Sequence, residues 1–358
     1  MKIYNALLIT ALITSVCSAE EPKTVIETPV IPKKPPKTLG ILILCMMSMV
    51  TLPTDAKPPK ALRTGKVSQK EQYADSIPKP TLSEVVYGPH ERNVIDFWKA
   101  KSEKPTPLAF VIHGGGWKNG SKERLSRFVD APALLNAGIS VVAINYRLIK
   151  SNSELQPPVR APLYDAARAL QFVRSKAKEW NIDKTRIAAS GSSAGACSSL
   201  WLLYHDDLAD SKSKDSIARE STRLYCAAVN NAQTSLDPKQ LKAWTPNSKY
   251  GGHAFGMKSF DQFLAERKNI LPWIQEYSPY ALASSDDPPV YLHYKGPPPA
   301  IGKPQKDPTH TANFGLKLQE RCEELGLSCE LVYKGAKKVK HKDATAYLIA
   351  SLNSSSGK

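Results

Sequence analysis

Short runs of uninterrupted apolar residues recur along this chain, separated by longer stretches in which apolar positions fall three and four apart. The run Leu108–Ile112 has the continuity of a strand buried on both faces, and Ile139–Ile144, Arg186–Ala189, Tyr225–Val229, Val290–Tyr294 and Cys329–Tyr333 read as further strands. Between them, Ser121–Ala137, Pro162–Trp180, Thr311–Leu325 and Lys342–Leu352 read as helices. In the second of these, Leu163, Ala166, Ala167, Leu170, Val173 and Ala177 share one side. Two shorter runs, Ser83–Tyr87 and Asn93–Trp98, flank Gly88-Pro89-His90 and predict an opening hairpin. Strands that alternate with helices require a mostly parallel sheet with helices on both faces, and sites in such sheets lie at the carboxyl ends of the strands. The stretch 230–280 breaks the alternation and reads as an irregular, cap-like insertion.

The first 80 residues follow a different pattern. Met1–Ala19 carries Lys2, an apolar stretch from Ala6 to Val16 and a small-residue end, as a secretory signal does. A second unit follows, with Lys33, Lys34 and Lys37 ahead of an apolar stretch at 39–50 and a cleavage-like Thr54-Asp55-Ala56. That stretch is short for a bilayer, which needs about 20 residues. Residues 1–56 are therefore expected to be a leader and 57–80 a Lys- and Pro-rich linker. Residues 81–358 would form the folded domain of a secreted or periplasmic protein, with contact to a membrane only through an uncleaved leader tethered at 39–52.

Composition narrows the function. With 358 residues, 42% of them hydrophobic, the chain has enough apolar material for one large core or two modest ones. The net charge of +16 is spread along it without any nucleic-acid motif, so no nucleic-acid partner is expected. Attraction to an acidic substrate or matrix is the functional reading of that charge, and a solvated basic surface is the plainer one. Four of the six cysteines, Cys197, Cys226, Cys322 and Cys329, fall in the domain. None has metal-site spacing, and no structural metal is expected. Separate thiols and a local Cys322–Cys329 bridge both remain open.

The chemistry centres on Ile187–Ala196, an apolar run ending in Gly191-Ser192-Ser193-Ala194-Gly195. A strand, a tight turn and a helix in that order hold Ser193 at an apex with a helix N-terminus behind it. About 80 residues earlier, His113-Gly114-Gly115-Gly116-Trp117 ends another predicted strand. Successive glycine amides can face one developing oxyanion with no side chain between, so Gly115, Gly116 and the amide of Ala194 are the expected donors.

On these motifs, with Asn145-Tyr146-Arg147, Asp165–Leu170 and Tyr277-Ser278-Pro279-Tyr280 in support, the chain from about Val85 to Leu352 resembles the α/β-hydrolase superfamily. Within it, the resemblance is to bacterial esterases and lipases with an H-G-G-G oxyanion loop, in the feruloyl-esterase-like and hormone-sensitive-lipase-like branches. The resemblance implies a triad in the order Ser, Asp or Glu, His, and hydrolysis without a cofactor. It places the base after the last strand, at His341, and the acid after the penultimate one, where Asp307 is the sole carboxylate. Two alternatives to Asp307 stay open: an acid from another loop, and a dyad of Ser193 and His341 alone. Trp117, Trp244 and His253 are expected to wall the substrate pocket. The substrate would be a small-molecule or polysaccharide ester. The other readings are a catalytically impaired carbohydrate-binding relative and a lipase or peptidase of the same superfamily.

Overall fold

A computed structural model of the chain describes residues 71–150 and 155–354; the leader 1–56 and most of the expected linker lie outside the described residues. Eight strands form one sheet: β1 (Leu82–Val86), β2 (Val94–Trp98), β3 (Thr106–Ile112), β4 (Ser140–Ile144), β5 (Ile182–Ser192), β6 (Cys226–Asn230), β7 (Val290–His293) and β8 (Cys329–Val332). Their spatial order is β1-β2-β4-β3-β5-β6-β7-β8. The hairpin β1–β2 and the pair β2–β4 are antiparallel, and every other pairing is parallel. This is the mostly parallel α/β architecture that the alternation predicts.

The uninterrupted strands are explained by two cores, one on each face. Along β3, Leu108, Phe110 and Ile112 enter one cluster, while Ala109 and Val111 enter the other. A strand whose alternate residues are both buried cannot show a polar face, which is why its sequence reads as continuous apolar. The helices α2 (Arg160–Ser175), α4 (Ala194–Tyr204) and α9 (Asn313–Leu325) cover the first face, and α1 (Ala131–Asn136) and α10 (Ala344–Asn353) the second. Every residue of α4 is buried, so it runs through the middle of the molecule directly behind Ser193.

Three boundaries differ from the sequence reading. The helix expected over Ser121–Ala137 is a 3-10 turn (Lys122–Arg127) followed by α1. Asp130 caps α1 through the Ala133 amide, and Pro132, lacking an N–H, suits only a helix's first turn. Similarly, the helix expected over Pro162–Trp180 is interrupted at Lys176, after which α3 (Ala177–Trp180) follows. The insertion after β6 is helical, with α5 (Pro238–Trp244), α6 (Phe260–Ala265), α7 (Leu271–Tyr277) and α8 (Pro279–Leu282). These helices are too short and too proline-punctuated to show a helical period. In addition, the expected linker does not run to residue 80 as free chain. Ile77 is buried, Tyr73 Oη donates to Asp96 at 2.7 Å, and Trp98 Nε1 donates to the Pro78 carbonyl at 2.7 Å.

Among the described residues the four domain cysteines are free thiols, and no helix is long and apolar enough to cross a membrane.

Candidate active site

β5 delivers the chain to Ser193 and α4 begins at the next residue, so the serine sits at the carboxyl end of the sheet with a helix N-terminus behind it. Ser193 has φ 54° and ψ −123°, a conformation that L-residues adopt only at a cost and that lifts the side chain off the turn. The neighbouring glycines make this turn possible by contact distance. A Cβ on Gly195 would lie 2.1 Å from the Ile112 carbonyl oxygen, and one on Gly191 would lie 2.5 Å from the same atom. The turn is thus pressed against the end of β3, where the glycine loop starts.

That loop is held from behind, one carbonyl at a time. His113 is almost fully buried, and its Nδ1 lies 2.8 Å from the Gly114 carbonyl, with Nε2 3.3 Å from Arg92 Nη2. An arginine only donates and a carbonyl only accepts, so the imidazole is the neutral Nδ1–H tautomer. Burial keeps it neutral by pushing its pKa down to about 3. The Gly115 carbonyl accepts from the Lys118 and Asn119 amides, at 3.0 and 3.2 Å. The Gly116 carbonyl accepts from His253 Nε2 at 3.1 Å, and burial lowers the pKa of this histidine to about 4. In a trans peptide the N–H points opposite to the C=O before it. Fixing the Gly114 and Gly115 carbonyls therefore turns the Gly115 and Gly116 amides to the other side. The Ala194 amide, first in α4, has no acceptor within its helix.

The imidazole that meets Ser193 is His310. Its Nε2 lies 3.0 Å from Ser193 Oγ, and its Nδ1 lies 2.9 Å from Asp307 Oδ2. Because a carboxylate accepts, Nδ1 carries the proton and Nε2 is left to accept from the serine hydroxyl. Both residues belong to one turn after β7. Asp307 Oδ1 accepts from the Thr309 and His310 amides, each at 3.2 Å, and Pro308 fixes the backbone between them. Gln233 Nε2 anchors the turn by donating to the Thr309 carbonyl at 2.6 Å. Burial raises the pKa of Asp307, but the hydrogen bond and charge of His310 outweigh it and leave the carboxyl below its ordinary value.

A cleft of about 430 Å³ opens beside Ser193. Gly114 and Gly115 of the glycine loop line it together with Asn230, Asn231, His293 and Lys295 and with Arg124, Arg127 and Phe128.

The family model BD-FAE matches residues 95–297. The chain belongs to the BD-FAE family. Gut esterase 1 of Caenorhabditis elegans is 32% identical over 150 residues, which is 40% of this chain and 26% of that protein. An esterase of Gibberella moniliformis is 28% identical over 139 residues, covering 38% of this chain and 42% of its own length. The chain thus spans about a quarter of the worm protein and under half of the fungal one. Among solved structures, the acetyl ester-xyloside bifunctional hydrolase of Caldicellulosiruptor lactoaceticus matches with TM-score 0.51 and 25% identity, covering 67% of this chain and 77% of that one. Esterase 2 of Thermogutta terrifontis, phosphonylated by sarin, matches with TM-score 0.55 and 21% identity over 77% of this chain and 93% of its own. These likenesses fit the α/β-hydrolase fold.

The BD-FAE match ends ten residues before Asp307, and the residues beyond it are where the sequence expectation needs correcting. His341 is not at the serine. The loop after β8 turns back along that strand. There His341 Nδ1 meets Glu330 Oε2 at 2.7 Å, its amide donates to Glu330 Oε1 at 2.8 Å, and its ring stands edge-on to Tyr347. It lines a separate surface cleft with Glu330, Tyr333 and Tyr347. None of the three expected substrate-binding side chains lines the Ser193 cleft. Trp117 is fully buried and donates from Nε1 to Ser198 Oγ on α4 at 2.9 Å, which ties the glycine loop to the central helix. Trp244 packs edge-on against Tyr280 and Phe314. His253 is committed to Gly116. Conversely, the sequence reading missed His310, His113 as a support of the loop, and the cleft residues Arg127, His293 and Lys295.

Among the described residues one group of acids is tight enough for a metal ion: Glu84, Asp96 and Glu123. Lys122 Nζ already stands between them, 2.5, 3.0 and 2.6 Å from their oxygens. The cluster is an ion-pair network in which Lys122, Asp96 and Glu123 are buried and Glu84 is exposed.

Proposed function

We propose that this protein is a serine carboxylic ester hydrolase in which Ser193 is the nucleophile, His310 the base and Asp307 the acid that orients it. The observation that carries the reading is the continuous chain Asp307 Oδ2–His310 Nδ1, 2.9 Å, and His310 Nε2–Ser193 Oγ, 3.0 Å. His310 takes the Ser193 proton as Oγ bonds to the ester carbon. The amides of Gly115, Gly116 and Ala194 stabilise the oxyanion. Collapse of the tetrahedral species breaks the ester C–O bond, and the alcohol leaves with the proton from His310. Water then gives His310 a proton as its oxygen attacks the acyl carbon; the acid leaves and Ser193 regains its hydrogen.

Acyl groups on a polysaccharide are the proposed target. Support comes from the acetyl ester-xyloside hydrolase among the structural relatives and from the signal-like residues 1–19 and 39–56, which suit export to where such polymers are found. A fluorophosphonate probe tests the nucleophile. The native protein is expected to be labelled and Ser193→Ala not. Folded native protein that resists the probe and hydrolyses no short nitrophenyl ester would favour a carbohydrate-binding role instead.

A further inference from the structure

The walls of the Ser193 cleft are charged with one sign. Arg124, Arg127 and Lys295 line it together with His293, Asn230 and Asn231, and no carboxylate does. The nearby acids are accounted for. Glu71 engages Arg124 Nε at 2.6 Å and accepts from Ser121 Oγ at 2.9 Å, so it offsets one of the three cations. It also adds a favourable field at Arg127 without pairing with it. Asp343 reaches His293 only through its field, and its own oxygen caps α10 through the Ala346 amide. Asp307 belongs to His310. Among the described residues Arg127 and Lys295 have no ion-pair partner, and burial holds His293 toward its neutral form.

Several partly buried cations elsewhere are neutralised. Lys122 is met by three acids, Arg147 by Asp165 and Arg267 by Asp237. Two cations without an ion-pair partner thus line the cleft that holds Ser193, and together they favour a negative group there. His293 Nδ1 is engaged with Asn230 Oδ1 at 3.2 Å, which leaves its Nε2 and the Asn231 side chain as uncharged polar groups beside the cations.

We infer that this cleft selects esters whose sugar moiety carries an anionic group, a carboxylate or a sulfate, near the scissile bond. The anion would sit between Arg127 and Lys295 while the ester carbonyl meets Ser193. Charge-assisted contacts in a partly enclosed cleft are stronger than on an open surface, and they place the substrate as well as attract it. The inference rests on the esterase reading and narrows its substrate class to acylated acidic glycans.

The test uses three acetylated methyl glycosides: a glucoside, the matching glucuronide, and the glucoside 6-sulfate. 4-Nitrophenyl acetate serves as the activity control. For the native protein, kcat/KM on at least one anionic sugar is expected to exceed that on the neutral one by about tenfold at low salt. That advantage should shrink as salt approaches the molar range. The two anionic substrates distinguish carboxylate from sulfate. In Arg127→Ala/Lys295→Ala, the ratio of anionic to neutral kcat/KM is expected to fall to about one. Equal rates on all three sugars overturn the inference, and so does cleavage of 4-nitrophenyl acetate with none of the sugars turned over. Both results leave the esterase reading intact. Inactivity on every ester, including 4-nitrophenyl acetate, would instead remove that reading itself.

Discussion

Two histidines of this protein are held by a carboxylate through Nδ1, and only one of them faces the serine. His310 is held by Asp307 at 2.9 Å and His341 by Glu330 at 2.7 Å. In each case the carboxyl's pKa is pushed up by burial and then brought below its ordinary value by the imidazole. In each case the same carboxylate also accepts backbone amides, so the local chemistry is the same. What separates the pairs is position. The Asp307–His310 turn leaves β7 at the carboxyl end of the sheet, whereas the loop carrying His341 folds back along β8. An oriented imidazole is thus only half of a catalytic base; the other half is an Nε2 delivered within hydrogen-bond reach of a hydroxyl.

The largest expected effect comes from breaking the comparison at the base. His310→Ala should lower kcat on a short nitrophenyl ester by about a millionfold, as loss of a triad base does, while His341→Ala should stay within about twofold of the native rate. Steady-state rates on the purified variants decide it. A collapse in His341→Ala with activity kept in His310→Ala would move the base back to the β8 loop. The next effect is at the acids. Asp307→Asn should cost about ten- to a hundredfold in kcat, less than for a buried triad acid because Asp307 is 63% exposed and water shares its role. Glu330→Gln should leave kcat unchanged and shift the urea midpoint slightly downward, which equilibrium unfolding would read.

The smallest effect concerns two histidines that pair with backbone carbonyls and not with a carboxylate. His113 and His253 support the glycine loop as neutral rings, with pKa values pushed from the ordinary 6.5 down to about 3 and about 4. Below pH about 6.5 the unfolded chain takes up protons that the folded one refuses, so stability falls with pH through that window and levels off beneath the folded values. Urea midpoints between pH 7.5 and 4 should decline with a slope approaching two protons from these groups. His253→Phe should flatten the slope by about one proton. An unchanged slope in that variant would mean His253 is protonated in the native state.

The sheet and the turn that carries Ser193 were legible because their signals are local. Gly195 and Gly191 must lack a Cβ at any residue packed against Ile112, and a strand covered on both faces must be continuously apolar. His310 was not legible because its partner is 117 positions away. Its local signal, an aspartate followed by proline with a histidine three residues on, describes a turn as readily as an acid and base. Position after the last strand favoured His341, and only the path of the β8 loop removes it. Trp117 and His253 have the composition of pocket walls, but a ring nitrogen can be spent inward, on Ser198 or Gly116, as readily as on a ligand.

The turn that joins Asp307 to His310 has a mechanical consequence. Asp307 and His310 ride on four consecutive residues, so a displacement of that turn carries the pair together and, within the chain from carboxylate to hydroxyl, breaks only the contact to Ser193. Its tethers lie in the neighbouring insertion and the segment leading to it: Gln233 holds Thr309, and Asn247 exchanges two hydrogen bonds with Gln305, at 2.8 and 2.9 Å. Whatever binds or distorts the insertion pulls on a preassembled carboxylate–imidazole unit, and the proposed catalytic contact to Ser193 opens or closes as one joint.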